Sequence, residues 1–276
     1  MDKMLQGQTA LVTGAGRGWG RSIALAFARQ GAKVAVVART SMEIEYTLEL
    51  LHAEKVQAIG LRIDLSEDKA VEEIEQQVLA EFGRLDILVN NAAVLQVKPF
   101  EEFGGDEMER TLRINLLAPL AACRLFLEPM RRQGGGSIIN VSSNAGVRPF
   151  ENEAIYCAAK YALEGFTRSL ALEVKKYNIA ANTITPGGLQ AGVRIKPTSL
   201  TQAEYDRLNP QEKACWVDSI IMTEAFVFLA RQRGNGVTGE RVLAFEFSER
   251  IRAEGWDLEY RRIDDPAQHW EKQGIA

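Results

Sequence analysis

Tyr156 and Lys160 stand four positions apart in the stretch IYCAAKYALEGF, whose composition predicts a helix. Residues at this spacing lie on one face of a helix, so the phenol and the ammonium would be neighbours. A phenol has a pKa of about 10 in water, and a nearby positive charge favours the phenolate and lowers that value. The pair therefore indicates a tyrosine that exchanges protons near neutral pH, although the same spacing also occurs by chance.

A glycine-rich turn near the N-terminus is the second chemical feature. The strand TALVT runs into TGAGRGWG, and a helical stretch follows. Glycines at such a junction let the backbone approach a pyrophosphate, and the helix N-terminus offers unpaired N–H groups. A merely tight turn is the alternative. We expect a dinucleotide to bind here, at Gly14, Gly16, Gly18 and Gly20.

The residues at the end of the second strand predict which dinucleotide binds. An acid at this point accepts a hydrogen bond from a ribose 2′-hydroxyl, whereas cations bind a 2′-phosphate. This chain has Ala38, Arg39 and Thr40 here, and Arg17 lies in the glycine turn. Guanidinium groups can bind a phosphate with two N–H groups. We therefore expect NADP(H) in preference to NAD(H), with a solvated strand-end charge as the alternative for Arg39.

Short apolar runs alternate with amphipathic runs along the chain, which predicts an α/β fold. The predicted strands are TALVT, KVAVVA, VQAIGLRI, LDILVN, GSIINVS, IAANTIT and ERVLAFEF. The predicted helices lie near 18–30, 41–54, 66–81, 106–132, 154–176 and 216–231. Strands that are apolar throughout indicate a parallel sheet covered on both faces. We expect a doubly wound, Rossmann-type sheet of about seven strands.

The organisation predicted from this pattern is a single catalytic domain with an extension. The dinucleotide-binding catalytic domain spans 1–248, with a loop over the substrate at about 188–215. A charged C-terminal extension follows over 249–276. Its Trp256 and Trp270 either pack on a neighbouring subunit or cover the last strand of their own chain.

The composition excludes several classes of function. The 276 residues carry a formal net charge of −4, so no basic signal for nucleic acid or an anionic membrane exists. Three scattered cysteines and two isolated histidines predict neither a disulfide framework nor a metal site. A reducing cytoplasm is the simplest location, and the sequence shows no signal peptide or spanning segment.

Taken together, these motifs resemble the short-chain dehydrogenase/reductase family, in the branch of roughly 250-residue subunits. The similarity extends from about Gly7 to Phe247. It rests on TGAGRGWG, Asp64-Leu65, NNAA at 90–93, Asn115, the serines of INVSS, YCAAK and NTITPGG. The resemblance implies a nicotinamide cofactor, hydride transfer between a carbonyl and a secondary alcohol, and a homotetramer or homodimer.

The resemblance also implies a set of four catalytic residues. Tyr156 matches the acid/base, and Lys160 matches the residue that binds the nicotinamide ribose and lowers the tyrosine pKa. Ser143 stands thirteen residues before Tyr156, which is the family's separation. Ser143, rather than Ser142, therefore matches the serine that holds the substrate oxygen. Asn115 matches the fourth member.

A proline gives Asn115 a physical reason to be in this set. Pro119 stands four residues later in a helical run and has no N–H to give to the Asn115 carbonyl. That carbonyl is then free to hold a water, which in the family links the lysine to solvent as a proton relay. A plain helix kink with a buried Asn115 side chain is the alternative.

The remaining cofactor contacts follow from the same resemblance. Asp64 and Leu65 match residues at the adenine, Asn91 matches a residue of the cleft, and Leu189 lies near the carboxamide. The full implied cofactor-binding set is Gly14, Gly16, Arg17, Gly18, Trp19, Gly20, Arg39, Asp64, Leu65, Asn91, Tyr156, Lys160, Pro186, Gly187 and Leu189.

Four features depart from the family pattern. Trp19 replaces the usual isoleucine, and a bulky indole beside the pyrophosphate would narrow the mouth of the cofactor site. The usual NNAG is NNAA here, with Ala93 as a small change. Ala191 replaces a threonine that usually contacts the carboxamide, and Glu246 and its neighbours replace the usual glycine pair after the last strand.

The sequence leaves the substrate open. In the loop, Arg194 and Lys196 either favour an anionic substrate or are simply solvated. The segment between the catalytic serine and tyrosine offers candidate pocket residues, namely Asn144, Val147, Arg148, Phe150 and Glu153. We expect an NADP(H)-dependent oxidoreductase acting on a small carbonyl or alcohol. The alternatives are a non-catalytic NADP-binding regulator and a redox-neutral epimerase or dehydratase.

Overall fold

The computed structural model describes residues 3–187, 194–195, 207–210, 216–265 and 268–269. Most of the predicted substrate loop lies outside these described residues, and so do Leu189, Ala191, Lys196 and Trp270.

The strands of the described chain are β1 (Thr9–Thr13), β2 (Lys33–Ala38), β3 (Ala58–Arg62), β4 (Ile87–Asn90), β5 (Gly136–Val141), β6 (Ile179–Thr185), β7 (Arg194–Ile195), β8 (Trp216–Val217) and β9 (Arg241–Leu243). Seven of them form a parallel central sheet, in the spatial order β3-β2-β1-β4-β5-β6-β9. The two short strands β7 and β8 pair with each other, also in parallel, outside this sheet. The order reverses between β1 and β4, which is where ligands bind in sheets of this kind.

Helices cover both faces of this sheet. They are α1 (Gly18–Arg29), α2 (Ser41–Ala53), α3 (Ala70–Phe82), α4 (Gly105–Leu112), α5 (Ala118–Arg132), α6 (Ala154–Val174), α7 (Thr223–Ala230) and α8 (Ala244–Glu254). One core cluster packs α1, α2, α7 and α8 against the sheet, and a second packs α3, α5 and α6. The predicted doubly wound α/β fold is confirmed.

The strands are apolar throughout because successive side chains enter opposite layers. In β1, Val12 belongs to the cluster under α1, whereas Leu11 belongs to the cluster under α3 and α5. All five residues of β1 are buried. Burial on both faces is the reason that these segments show no alternation of apolar and polar residues.

Two predicted elements differ from the structure. The strand expected over 240–247 is wrong after Leu243, because Ala244 begins α8. Phe247 and Ile251 are both buried and lie four residues apart, which is the helical spacing. The helix expected from 216 begins at Thr223, after β8 and a 3-10 turn over Ser219–Met222.

The chain beyond α8 packs back on its own core. Trp256 and Tyr260 are partly buried against the cluster that contains α7 and α8. The Tyr260 ring lies 5.4 Å from the ring of Phe247 and 6.4 Å from that of Phe228. For Trp256 this supports packing on its own chain. The division of the chain at 248/249 remains a prediction, and α8 crosses it.

No helix in the described part of the chain is long and apolar enough to cross a membrane.

Candidate active site

The predicted catalytic serine and tyrosine meet at the end of β5. Ser143 follows this strand and caps a 3-10 turn, where its Oγ accepts a hydrogen bond from Ala145 N at 3.2 Å. Tyr156 lies in the first turn of α6, and its side chain is hydrogen-bonded to that of Ser143. The Oγ of Ser142 instead lies 3.4 Å from a guanidinium nitrogen of Arg241. Ser143 is therefore the serine of this pair that contacts the phenol.

Lys160 lies one turn further along α6, as the spacing predicts. Its Nζ is 5.6 Å from the centroid of the Tyr156 ring and donates a hydrogen bond to Val141 O at 2.8 Å. The side chain is buried. The structure thus brings Ser143, Tyr156 and Lys160 together at the carboxyl end of β5.

The pKa of Tyr156 moves in the direction opposite to the prediction. Burial raises the pKa of Tyr156 to about 12; the Ser143 hydrogen bond opposes this rise, and Glu153 adds to it. The expected lowering by Lys160 does not offset the effect of burial, and the ammonium donates its hydrogen bond to the Val141 carbonyl rather than to the phenol. Burial also lowers the pKa of Lys160 to about 8, against the attraction of Glu164.

Asn115 lies in a widened turn between α4 and α5. Residues Arg113–Leu117 form a π-helical turn that ends two residues before Pro119, in the region where the missing N–H predicts an irregularity. The buried Asn115 amide donates to Val94 O at 2.8 Å and to Thr111 O at 2.9 Å. Both the irregular turn and the buried side chain are therefore present. The water relay through the Asn115 carbonyl remains a prediction.

The glycine turn leaves no room for side chains. A Cβ on Gly16 would lie 2.8 Å from the Ala38 Cβ, and one on Gly14, whose φ is +66°, would lie 2.8 Å from Ala92 Cα. A Cβ on Gly20 would strike the Gly14 carbonyl. From the next strand, Asn91 Nδ2 donates to Thr13 O at 2.9 Å and so holds the turn in place.

The helix behind this turn is open to an anion. α1 has neither a side-chain cap nor an acidic residue in its first turn. Its first N–H groups therefore have no side-chain acceptor, and the dipole favours negative charge there. The turn and the helix together fit a bound pyrophosphate.

Comparison with known proteins identifies the family. A family model described as short chain dehydrogenase matches residues 8–199. The chain belongs to the short-chain dehydrogenase family. Two relatives cover most of it. D-threitol dehydrogenase from Mycolicibacterium smegmatis is 36% identical over 86% of this chain and 91% of the relative. L-xylulose reductase from Mesocricetus auratus is 35% identical over 87% of this chain and 95% of the relative.

A solved structure agrees with this assignment. The crystal structure of a metagenomic short-chain oxidoreductase in complex with NADP superposes with a TM-score of 0.73 and 30% sequence identity. The match covers 87% of this chain and 99% of that one. The protein is therefore an oxidoreductase of a fold that binds nicotinamide cofactors.

In this short-chain dehydrogenase, each arginine predicted to select the cofactor has a carboxylate nearby. Arg17 Nε lies 3.7 Å from Glu43 Oε1, and Arg39 Nη1 lies 3.8 Å from Asp64 Oδ2. The sequence interpretation missed Glu43, because it comes from the first turn of α2 and not from the end of β2. Both arginines remain substantially exposed, so they can also face a bound phosphate.

Asp64 is fixed by several donors. Its Oδ1 accepts hydrogen bonds from Ser66 N at 2.9 Å and Ser66 Oγ at 2.8 Å, and its Oδ2 pairs with Arg110 at 3.1 Å. Burial opposes ionisation, but these hydrogen bonds hold the pKa of Asp64 below its usual value. Leu65 beside it is buried in the core. Arg110 was not apparent from the sequence, since it reaches Asp64 from α4.

Local packing accounts for two of the departures from the family pattern, at Trp19 and Glu246. The Trp19 ring is buried edge-on against Phe226 at 4.9 Å, so the indole packs into the core and the expectation that it narrows the cofactor mouth is wrong. Gly187 follows β6 with φ of +72°, and the Glu246 carboxylate occupies the space where a Cβ would stand. Pro186 O accepts a hydrogen bond from Phe245 N at 3.0 Å.

Two side chains of the candidate pocket segment pack against each other. The Arg148 guanidinium stacks over the Phe150 ring at 4.3 Å. Among the described residues, no ion pair joins Arg148 to Glu153.

Proposed function

We propose that the protein is an NADP(H)-dependent oxidoreductase that interconverts a carbonyl and a secondary alcohol by hydride transfer. The observation that carries this proposal is that Ser143, Tyr156 and the buried Lys160 ammonium lie together at the end of β5. These three groups follow β5, at the same edge of the parallel sheet as the glycine turn after β1. Ligands of open α/β sheets bind at this edge.

The chain's own residues would hold the cofactor at three places. The glycine turn and the start of α1 would bind the pyrophosphate through backbone N–H groups. Arg17 and Arg39 would face the 2′-phosphate, and Lys160 the nicotinamide ribose. The bound nicotinamide supplies or accepts the hydride.

The catalytic residues then handle one proton and one oxygen. The Ser143 Oγ holds the substrate oxygen and stabilises the charge that develops on it. Tyr156 donates its phenolic proton to that oxygen in reduction and accepts it in oxidation. Burial raises the pKa of Tyr156 to about 12, which favours the protonated phenol that reduction requires. The nearby Lys160 ammonium favours the phenolate that reduction leaves behind, and Asn115 would resupply the proton.

Relatives indicate which substrates to test first. Their names, L-xylulose reductase and D-threitol dehydrogenase, are those of enzymes acting on small polyhydroxylated carbonyls and alcohols. We propose ketoses and polyols as the first substrate class for this chain.

The test is to follow NADPH and NADH absorbance with the wild-type protein and a panel of ketoses, simple ketones, aldehydes and 3-oxoacyl thioesters. Oxidation of NADPH that is matched by alcohol product supports the proposal. NADPH binding without consumption, with every compound unchanged, indicates the regulatory alternative. Conversion of a substrate without net change in cofactor indicates the redox-neutral alternative.

We also propose that the chain assembles as a homodimer or homotetramer. Leu172 on α6 and Leu117 before α5 are large apolar side chains that are 69% and 50% exposed. Exposed apolar side chains of this size on adjacent helices are typical of surfaces that pack against another subunit.

A further inference from the structure

Four buried charges form a row that begins at Lys160, one of the proposed catalytic residues. Lys160, Glu164, Arg241 and Asp265 are 2%, 4%, 6% and 5% exposed. They alternate in sign, and they come from α6, β9 and the C-terminal extension. Charges this deeply buried are costly unless each has a partner and further hydrogen bonds.

The Arg241 guanidinium is at the centre of this row. Its Nη1 pairs with Glu164, and its Nε donates to Asp265 Oδ2 at 2.7 Å. Glu164 also accepts a hydrogen bond from Thr183 Oγ1 at 2.8 Å. A planar guanidinium that is gripped by two carboxylates has one orientation only.

That orientation directs Nη2 to Ser143 and leaves Nη1 close to its neighbour Ser142. Arg241 Nη2 donates to Ser143 O at 3.1 Å, and Nη1 lies 3.4 Å from Ser142 Oγ. The Ser143 carbonyl also accepts from Gly146 N at 3.0 Å. The guanidinium therefore contacts the peptide group of the residue whose side chain is bonded to Tyr156.

Stability alone is a weak explanation for this arrangement. Buried ion pairs can often be replaced by apolar residues without loss of stability, because their desolvation offsets their attraction. Here the charges also fix the backbone of a residue that must be placed accurately for catalysis.

We propose that Arg241 is a positioning residue for Ser143, and that Asp265 completes the site by fixing Arg241. The proposal rests on the proposed function, in which Ser143 holds the substrate oxygen. It gives the C-terminal extension a role within its own chain. The extension packs its Tyr260 against Phe247. Its Asp265 carboxylate accepts the hydrogen bond from the Arg241 guanidinium.

The extension offers a matched control for a test of this role. Arg262 lies in the same segment and pairs with Glu240 at 2.8 Å, next to Arg241 in sequence, but it is 71% exposed. Arg262→Gln therefore removes a contact between the extension and the residue that precedes β9, without touching the buried row. Asp265→Asn keeps the shape of the side chain and removes only its charge.

The first measurement is amide hydrogen exchange of residues 145–147 in the full-length protein without substrate. We expect Asp265→Asn to accelerate this exchange about tenfold, because the Ser143 turn loosens, and Arg262→Gln to leave it within about twofold. Equal exchange in the two variants and the wild type would overturn the proposal. This readout does not depend on turnover, so it stands even if the proposed function fails.

The second measurement is turnover of the fastest compound of the panel. We expect Asp265→Asn to lower kcat about tenfold, about 1.4 kcal/mol in activation free energy, with the KM for NADPH unchanged. In the Ser143→Ala background the same substitution should have little effect, because the two act through one group. If the losses of turnover caused by Asp265→Asn and by Ser143→Ala were fully additive, Asp265 would not act through Ser143. Undiminished turnover in Ser143→Ala alone would instead refute the proposed function.

Arg241→Lys is the second variant, should the asparagine variant fail to fold. The lysine retains a cation for Glu164 and Asp265, but a single ammonium cannot also replace the guanidinium fork on the Ser143 carbonyl. We expect a folded protein with accelerated exchange at 145–147 and a lowered kcat. Wild-type values for both would overturn the proposal.

Discussion

At the scale of single residues, Lys160 and Tyr156 are perturbed by the same cause in opposite senses. Burial disfavours the charged form of each, so the pKa of the ammonium falls to about 8 and that of the phenol rises to about 12. The sequence identified the pair by its spacing, but it could not give these directions. They depend on the depth of burial and on the Val141 carbonyl that the ammonium meets.

The lowered pKa of Lys160 makes a prediction about stability. Between pH 8 and 10.5 the unfolded lysine keeps its proton while the folded one loses it, so the stability of the wild type rises with pH relative to Lys160→Met. We expect the difference in unfolding free energy to change by about 3 kcal/mol over this range. Urea unfolding of both proteins at several pH values measures it. Parallel pH profiles would show that the ammonium is not perturbed.

The carboxylate near each arginine makes a prediction about cofactor choice. Removing Glu43 leaves Arg17 free to bind a phosphate, whereas removing the guanidinium of Arg39 weakens that site. We expect Glu43→Gln to lower, and Arg39→Gln to raise, the KM for NADPH relative to NADH, each by about threefold to tenfold. Steady-state kinetics with both cofactors provides the ratio. If neither substitution changes the ratio of the KM for NADPH to that for NADH, Glu43 and Arg39 do not contribute to cofactor choice.

At the scale of elements, the sequence was sufficient wherever composition and period agree. TALVT, KVAVVA and IAANTIT form strands over the predicted residues, since buried β-branched runs have few alternatives. The prediction failed at ERVLAFEF, because a short apolar run does not distinguish a strand from a buried helix. There only the packing of Phe247 and Ile251 against the core decides the outcome.

The residues of the candidate site also divide into those that the sequence could locate and those that it could not. Gly14, Ser143, Tyr156 and Lys160 could be placed from motifs, because a strand end or a helical turn fixes each position. Glu43 and Arg110 could not, since each reaches a motif residue from an element distant in sequence. Long-range partners of this kind require the register of the whole sheet, which local spacing does not contain.

The glycine turn allows a prediction about one element. In Gly20→Ala the new methyl group would strike the Gly14 carbonyl, and backbone cannot move aside easily. We expect loss of NADPH binding by at least tenfold and destabilisation of about 1–3 kcal/mol. Gly105→Ala is the matched control, because no atom lies within 4 Å of its Cβ position. NADPH titration measures the affinity of each variant, and thermal unfolding measures its stability. Equal affinity and stability of the two variants would show that the turn tolerates a side chain at Gly20.

At the scale of the whole molecule, the sheet brings distant segments to one edge. Gly14, Asn91, Ser143 and Pro186 follow β1, β4, β5 and β6, which are parallel, so all four residues lie at the carboxyl ends of the strands. The C-terminal extension also contributes to this region, because its Asp265 pairs with Arg241. The proposed catalytic centre is therefore assembled from nearly the full length of the chain.

The proposed assembly gives a prediction at this scale. If α6 packs against another subunit, a charge at Leu172 would be buried there without a partner and would oppose association. We expect light scattering to give a dimer or tetramer for the wild type and a lower mass for Leu172→Glu. A wild-type monomer would contradict the proposal, and so would an unchanged mass for the variant.

We propose that the Tyr156 hydroxyl transfers the proton that accompanies hydride transfer. Comparing Tyr156→Phe with the wild type in NADPH oxidation tests this role, using the fastest compound of the panel, alongside NADPH affinity by fluorescence titration. We expect turnover to fall by about 10²–10⁴-fold while the Kd for NADPH stays within about twofold. Turnover by Tyr156→Phe at the wild-type rate would show that another group transfers the proton.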